Sequence, residues 1–257
     1  MNILKIVLLI TMVTSTCMAK ENLILAGGEW PPYVSKELNH YGVTPRIITE
    51  IFSSFGVKVQ YQFHPWSRSL EAARQGIVDG TFLWYKTPER EKDFYYSKYP
   101  IGHITFVFFH LKSTPFTWKN YSDLRGYRIG ATISYHYGEQ FIQEEKKGKL
   151  QVIRVKSDEQ NLKMLLKERI DIFPHDLSVG YFEINKIFPR STVHMFTNHP
   201  QPLKKENTYL LLSKQNKNNK QLIKLFSDAL YKFTQAGKYE QYYYDDLIKN
   251  VYTIKNN

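Results

Sequence analysis

Apolar positions along this chain switch repeatedly between two periods. Asn22 to Ala26 (NLILA) is a nearly continuous apolar run, the mark of a buried strand. Ile47, Ile48, Ile51, Phe52 and Phe55 recur at helical spacing, which predicts a helix from Pro45 to Phe55 closed by Gly56. Val57, Val59, Tyr61 and Phe63 alternate as a strand. Residues 67–75 read as a helix, and 77–84 (IVDGTFLW) as a strand. Thr87 followed by Pro88 reads as an N-cap and first helical position, so another helix is expected there. Strand alternating with helix argues for an α/β fold built on a mostly parallel sheet.

The pattern has an internal echo. ARQGIVDGTFL (73–83) resembles LLKERIDIFPH (165–175), each a helix end, an apolar residue, an Asp and a strand. LILAGGEW and YRIGATISY match as strand-plus-loop units. Two copies of one plan imply two lobes. The C-terminal stretch predicts one strand and two helices, the first with Leu222, Leu225, Phe226, Leu230 and Phe233 on one face. If that stretch returns to the first lobe, the chain crosses between lobes twice, and two crossings make a hinge over a closing cleft.

Residues 1–19 stand apart: an early lysine, an apolar run from Ile6 to Val13, then small residues ending at Ala19. This is the pattern of a secretory signal peptide cleaved between Ala19 and Lys20, and the run is too short to span a bilayer. The single cysteine, Cys17, lies inside it, so the exported chain is expected to have no disulfide. Lipoprotein-type cleavage at Cys17 is the alternative, with Thr14 and Thr16 as poor neighbours for it. The net charge of +11 suits an anionic partner, but the lysines are scattered, and EEKKGK and KQNKNNK read as helix ends or turns. With no basic stripe, nucleic acid is not an expected partner. The eight histidines are dispersed, and neither metal-type Cys/His spacing nor a phosphate-binding glycine loop nor a G-x-S-x-G elbow appears. No metal and no cofactor are expected.

Arg90 poses a question. Three residues after an N-cap a helix favours Glu or Gln, and a cation in the first turn costs about 0.3–1 kcal/mol against the helix dipole. WPPY after the first strand, PWSRSLEAARQGIVDG, TPERE with FYYSKYP, DLRGYRIGATIS and LLKERIDIFPHD occur in this order. Together they resemble the bacterial periplasmic solute-binding proteins of family 3, the polar amino-acid type serving ABC importers, over nearly the whole exported chain. The resemblance implies an α/β, two-lobed periplasmic-binding-protein fold, each lobe a mostly parallel sheet flanked by helices. Lobe 1 would be residues 20–101 and 206–257, and lobe 2 residues 102–205. It also implies a role for Arg90: pairing with a ligand carboxylate, with the free N–H groups of its helix start sharing the same anion.

Carried over residue by residue, the resemblance puts Asp176 on the ligand amine and Trp30 and Trp66 on the ligand side chain. It places Ser134 and Tyr135 in a loop offering hydrogen bonds. Trp84 and Tyr85 replace the small residues usual before the TPER motif, and as strand neighbours they point to opposite faces. Arg46 stands where an acidic residue is usual, and Gly27 or Gly28 takes the acidic position before the first aromatic. Asp79 and Asp171 read as turn-fixing residues, and Arg68 as structural. Such an aromatic cleft suits an aromatic, flat or cationic amino-acid-like ligand. The implied function is periplasmic capture of a small solute by a monomer, without catalysis, for an ABC permease of the inner membrane. Two alternatives share the fold: a sensor presenting its closed form to a signalling receptor, or an enzyme like the cyclohexadienyl dehydratases. The enzyme would need a general acid or base, for which Glu29, His136 and His175 are the candidates.

Overall fold

The computed structural model describes residues 22–133 and 135–249. The expected signal peptide, Cys17 and Ser134 lie outside the described residues. The first half begins β1 (Asn22–Gly27), α1 (Val43–Ser53), β2 (Lys58–Phe63), α2 (Trp66–Arg74), β3 (Gly80–Trp84) and β4 (Phe94–Tyr96). Then come β5 (Gly102–Leu111), β6 (Arg128–Thr132), α3 (Glu139–Lys146), β7 (Gln151–Val155), α4 (Asp158–Leu166), β8 (Phe173–Asp176) and α5 (Leu177–Ile187). The chain closes with α6 (Arg190–Val193), β9 (Phe196–Asn198), β10 (Lys204–Ser213), α7 (Asn219–Gln235) and α8 (Lys238–Tyr243).

The internal echo is structural. β2, β1 and β3 run parallel, in that order. β7 and β6 pair in parallel, and Ile129 of β6 bridges in parallel to Ile172, the residue before β8. The two aspartates of the echo do the same job in each half. Asp79 accepts from the amide of Ile24 through Oδ2 at 2.8 Å and donates its own amide to the Ile24 carbonyl at 2.9 Å. Asp171 repeats this with Arg128, accepting its amide at 2.7 Å and donating to its carbonyl at 2.8 Å. Each carboxylate thus clips the start of one parallel strand to the approach of another.

Asp171 also takes the Arg128 guanidinium, Nε at 3.1 Å and Nη2 at 2.6 Å. Those bonds hold its carboxyl below the ordinary carboxylate range, the Arg128 side chain being the largest cause. A depressed folded pKa contributes stability that is present above the unfolded value near 4 and lost as pH falls through the folded one. The Arg128 side chain is exposed, so solvent screens the pair and its contribution is small. Asp171→Asn is therefore expected to melt slightly below the parent at pH 7, and by a smaller margin at pH 3, as the pH falls toward the depressed folded pKa. A gap of equal size at both pH values would show that the ion pair is not its source.

β5 and β10 join the halves. The first part of β10, Lys204 to Thr208, pairs antiparallel with β5, and its last part pairs with β3 from Tyr209 to Leu212 and with β4 from Leu211 to Ser213. The sheet is therefore parallel on its β2-β1-β3 flank and antiparallel from β10 onward, while β6 and β7 form a separate parallel pair. β8 and β9 add to the other edge of β5. Three apolar clusters carry most of the burial. One, around Leu23, Ile47, Phe52, Phe82 and Phe226, lies under α1 and α7. The others lie in the second half, around Phe106, Phe108 and Phe141 and around Phe109, Leu162 and Phe173.

Several expectations need adjustment. The helix expected from Thr87 is a single 3-10 turn, Arg90–Lys92, whose N-cap is Glu89, although Thr87 Oγ1 does accept from the Arg90 amide at 3.3 Å. The chain leaves the helix because Phe94–Tyr96 is captured by β10, a tertiary pairing that outweighs local preference. On α7 the buried face is Leu222, Ile223, Phe226, Leu230 and Phe233, while Leu225 is exposed. At about 100° per residue Leu225 falls outside the arc centred on Phe226 and Phe233. α1 ends as expected: Gly56 takes φ +81°, and the amide of Val57 returns to the Phe52 carbonyl at 3.1 Å. Among the described residues no helix is long and apolar enough to cross a membrane.

Candidate functional site

The loops after β1, β3, β6 and β8 all leave the carboxyl ends of parallel strands, where open α/β sheets place their ligand crevices. On the first-lobe wall, Trp66 opens α2 and meets Trp84 edge-to-face, with ring centroids 5.7 Å apart. The Arg90 guanidinium lies over the Trp84 ring at 4.7 Å and donates through Nη1 to the Tyr85 carbonyl at 3.1 Å. Among the described residues Arg90 has no carboxylate partner. Lys204 covers the Tyr85 ring from β10, with Nζ 4.7 Å from its centroid.

Strand alternation breaks at Leu83, whose φ of +63° is rare for a branched side chain. Beyond this kink Trp84 packs on the cluster of Ala26, Ala73 and Phe94, whereas Tyr85 packs across on the Phe106–Phe108 cluster of the second half. Burial pushes the Tyr85 hydroxyl up to about 12, with Glu206 and Asp176 adding to the rise and Arg90 opposing it. Tyr85 therefore lies within electrostatic reach of both Arg90 and Asp176.

The glycines before Trp30 have a packing reason. A Cβ on Gly28 would lie 2.5 Å from the Trp66 indole, and one on Gly27 would lie 2.6 Å from the Phe82 ring. The aromatic walls fill the space an acidic side chain would need. Arg46 is likewise accounted for: it pairs with Asp246 at 2.9 Å and lies 3.9 Å from the Tyr242 ring centroid, tying α1 to the C-terminal segment.

Trp30 packs against the core of each half and begins a tight turn closed by reciprocal hydrogen bonds with Val34. That turn presents Tyr33, which sequence reasoning passed over although it ends the WPPY motif. Tyr33 donates its hydroxyl to Asp176 Oδ1 at 3.1 Å, a contact between the two halves. Asp176 is fully buried and caps α5, accepting the amides of Ser178 and Val179 at 3.0 Å, while Oδ2 accepts the amide of Thr105 at 3.1 Å. Burial raises its pKa, against the pull of the Val179 amide and of His175.

Tyr135, on the loop after β6, donates to Asp158 Oδ2 at 2.9 Å. Asp158 also accepts the hydroxyl of Thr132. Beneath Tyr135 the fully buried His175 lies 3.8 Å from Asp158 and 3.4 Å from Glu183. Burial alone lowers the pKa of His175, but Asp158 and Glu183 together carry it above its ordinary value. Of the other acid–base candidates, Glu29 is exposed and accepts the Lys36 amide, and His136 is exposed beside Glu139. Arg68 is exposed on α2.

The expected site residues thus form two groups. Trp66, Trp84 and Arg90 form a run of contacts on one side, and Arg90 also reaches the Tyr85 carbonyl. Tyr135 stands over Asp158 and His175 on the other, and Trp30 and the Tyr33–Asp176 bond lie where the halves meet. Asp158, Glu183 and Lys204 escaped sequence reading because a first-turn Asp, a mid-helix Glu and a strand Lys are ordinary in those places.

The fold is shared with solved solute-binding domains. Substrate binding domain 2 of GlnP from Lactococcus lactis, in an open conformation, matches with TM-score 0.69 and 18% identity over 89% of this chain and 96% of that one. The second substrate binding domain of a proposed amino acid ABC transporter from Streptococcus pneumoniae matches with TM-score 0.68 and 16% identity over 88% and 99%. A mutant of ArgBP from T. maritima matches with TM-score 0.63 and 19% identity over 88% and 94%. No curated protein matches the chain by sequence. The family of bacterial extracellular solute-binding proteins, family 3, matches over residues 24–245, which is most of the chain. With its two halves joined by β5 and β10, this protein belongs to that family.

Proposed function

We propose that the protein captures a small amino acid or amino-acid-like solute with a carboxylate and a flat or aromatic part, in the periplasm, for an ABC importer. The observation that carries this reading is Arg90: a half-buried guanidinium stacked on Trp84, free of any carboxylate partner among the described residues. Such a group is poised for a bidentate bond to a ligand carboxylate. Trp30, Trp66, Trp84, Tyr85 and Tyr135 supply aromatic surface around it. In this reading the lobe that holds β1–β4 and the one that holds β6–β8 both contact one ligand, and those contacts favour the closed state. Delivery to a permease follows from family membership and from the transporter domains that share the fold.

Asp176 is the acidic counterpart for a ligand amine, but Tyr33 already holds it. An ammonium would either share the carboxylate through Oδ2, which accepts only the Thr105 amide, or displace the Tyr33 hydroxyl from Oδ1. The test is a melting scan of the purified protein with α-amino acids, aromatic acids lacking an amine, amines and short peptides. At about 100 times its dissociation constant the right ligand adds about 2.7 kcal/mol, or roughly 5–10 °C. A shift from amino acids supports an ammonium at Asp176. A shift from amine-free acids alone leaves Arg90 as anchor and Asp176 bonded to Tyr33. If no carboxylate shifts the transition, the reading fails.

A further inference from the structure

The triad of Asp158, His175 and Glu183 has no task in solute capture as described above. It is assembled from three elements: Asp158 opens α4, His175 lies in β8, and Glu183 sits in α5. One ligand-type atom from each lies within 4.8 Å of the others, and among the described residues no other His, Cys, Asp or Glu trio converges as closely. His175 is fully buried, wedged against the rings of Phe173 at 5.0 Å and of Phe109 and Tyr135 at 6.4 Å. Neither of its ring nitrogens makes a hydrogen bond, and Glu183 Oε2 is also buried without one.

A buried imidazole with two unpaired nitrogens beside two carboxylates is costly as it stands. If His175 is neutral, two negative charges face each other across it. If it is protonated, both N–H groups remain without a hydrogen bond and one negative charge stays uncompensated. A divalent cation removes the charge conflict and gives Nε2 a partner, taking its lone pair and one oxygen from each carboxylate, while Nδ1 stays unpaired. The spacing suits it. Tetrahedral ligands about 2.0–2.1 Å from zinc lie roughly 3.4 Å from one another, and Nε2 is already 3.4 Å from Glu183 and 3.8 Å from Asp158.

The surroundings also fit. Asp158 is oriented by the hydroxyls of Thr132 and Tyr135, and Asn161 in turn donates to Thr132 at 3.0 Å. Such outer hydrogen bonds are what set ligand carboxylates in place. The Glu183 side chain is 24% exposed although its Oε2 is buried, so the cluster lies close beneath the surface.

We infer that Asp158, His175 and Glu183 form a binding site for a first-row divalent metal ion of the zinc type, inside the second lobe beneath Tyr135. The donor set of one imidazole and two carboxylates suits Zn2+ or Co2+ above Mn2+, and Mg2+ least. A bound ion pins α4 to α5 through β8. This inference does not depend on which solute the cleft takes.

The experiment uses the protein stripped with EDTA and titrated with Zn2+, Co2+ and Mn2+ by calorimetry, with visible absorption recorded for Co2+. Saturable binding of one Zn2+ is expected, with Mn2+ weaker, and Co2+ should show the intense d–d bands of a four-coordinate site. Glu183→Gln, which keeps the shape of a partly exposed side chain, should weaken Zn2+ binding at least tenfold. His175→Gln should abolish it. Circular dichroism establishes that each variant is folded, and Glu183→Gln carries the test if His175→Gln is not. His194→Ala, remote in sequence and exposed, should leave the affinity unchanged. The inference is overturned if the parent takes up no Zn2+ at millimolar concentration. It is equally overturned if folded Glu183→Gln binds like the parent, or if His194→Ala removes the binding.

Discussion

Arg90→Ala should weaken binding of the solute by at least 30-fold, and by up to a few thousand-fold, while the ligand-free protein melts within about 4 °C of the parent. The two halves of this expectation come from different contacts. In the ligand-free state Arg90 makes one hydrogen bond, to the Tyr85 carbonyl, and one cation–π contact with Trp84. Losing a half-exposed contact of this kind costs about 0.5–1 kcal/mol. Trp84 stays braced by Trp66 and by its own indole N–H, which donates to the Thr81 hydroxyl at 2.8 Å. In the complex, removing one partner of a desolvated charge pair costs about 2–5 kcal/mol, which gives the stated range of affinities. Arg90→Lys should fall between, since it keeps a charge but loses the fork and the stack. Calorimetry with whichever carboxylate raises the melting temperature decides the matter: parent-like affinity in Arg90→Ala would remove Arg90 from the site.

Asp176→Ala should cost the ligand-free protein about 3 kcal/mol or more, a fall of roughly 6–12 °C in melting temperature. Its carboxylate satisfies the amides of Ser178, Val179 and Thr105 and the hydroxyl of Tyr33, all against a fully buried background. Losing an N-cap costs about 0.5–2 kcal/mol, and each further buried donor left unpaired about 1–3. Asp176→Asn separates the terms. Its remaining oxygen can still cap α5, but its amide nitrogen opposes the Thr105 N–H, so about half the loss should return. A melting temperature unchanged in Asp176→Ala would mean that water replaces the carboxylate, and that the residue is free to serve a ligand alone.

These two residues show how unevenly the site was legible. Arg90 drew attention because a cation in a first turn breaks a local rule, and rules broken locally are often explained by a ligand. Asp176 was legible as a motif position, yet its neighbours were not. The Tyr33 hydroxyl reaches it from 143 positions away in the chain. Spacing along a sequence carries no information about such a meeting. The same holds for His175, which the dispersed histidines gave no reason to connect with Asp158 and Glu183.

The local pattern alone determined the strands and helices between residues 22 and 84, the C-terminal strand and helices, and the echo that placed matching units in the second half. Backbone periodicity is a short-range property, and the repeated Asp79 and Asp171 units each complete their hydrogen bonds within one lobe. Family membership was legible too, because ordered motifs survive in sequence where no single residue decides. Tertiary structure alone decided what lies at the seams. It captured Phe94–Tyr96 onto β10 in place of a helix, bent the chain at Leu83 so that Trp84 and Tyr85 serve different lobes, and made Gly28 the floor for Trp66. Each depends on free energy gained between segments distant in sequence, by ladder hydrogen bonds or by aromatic packing. Such terms have no period to read, so they become visible only once the lobes are folded against each other.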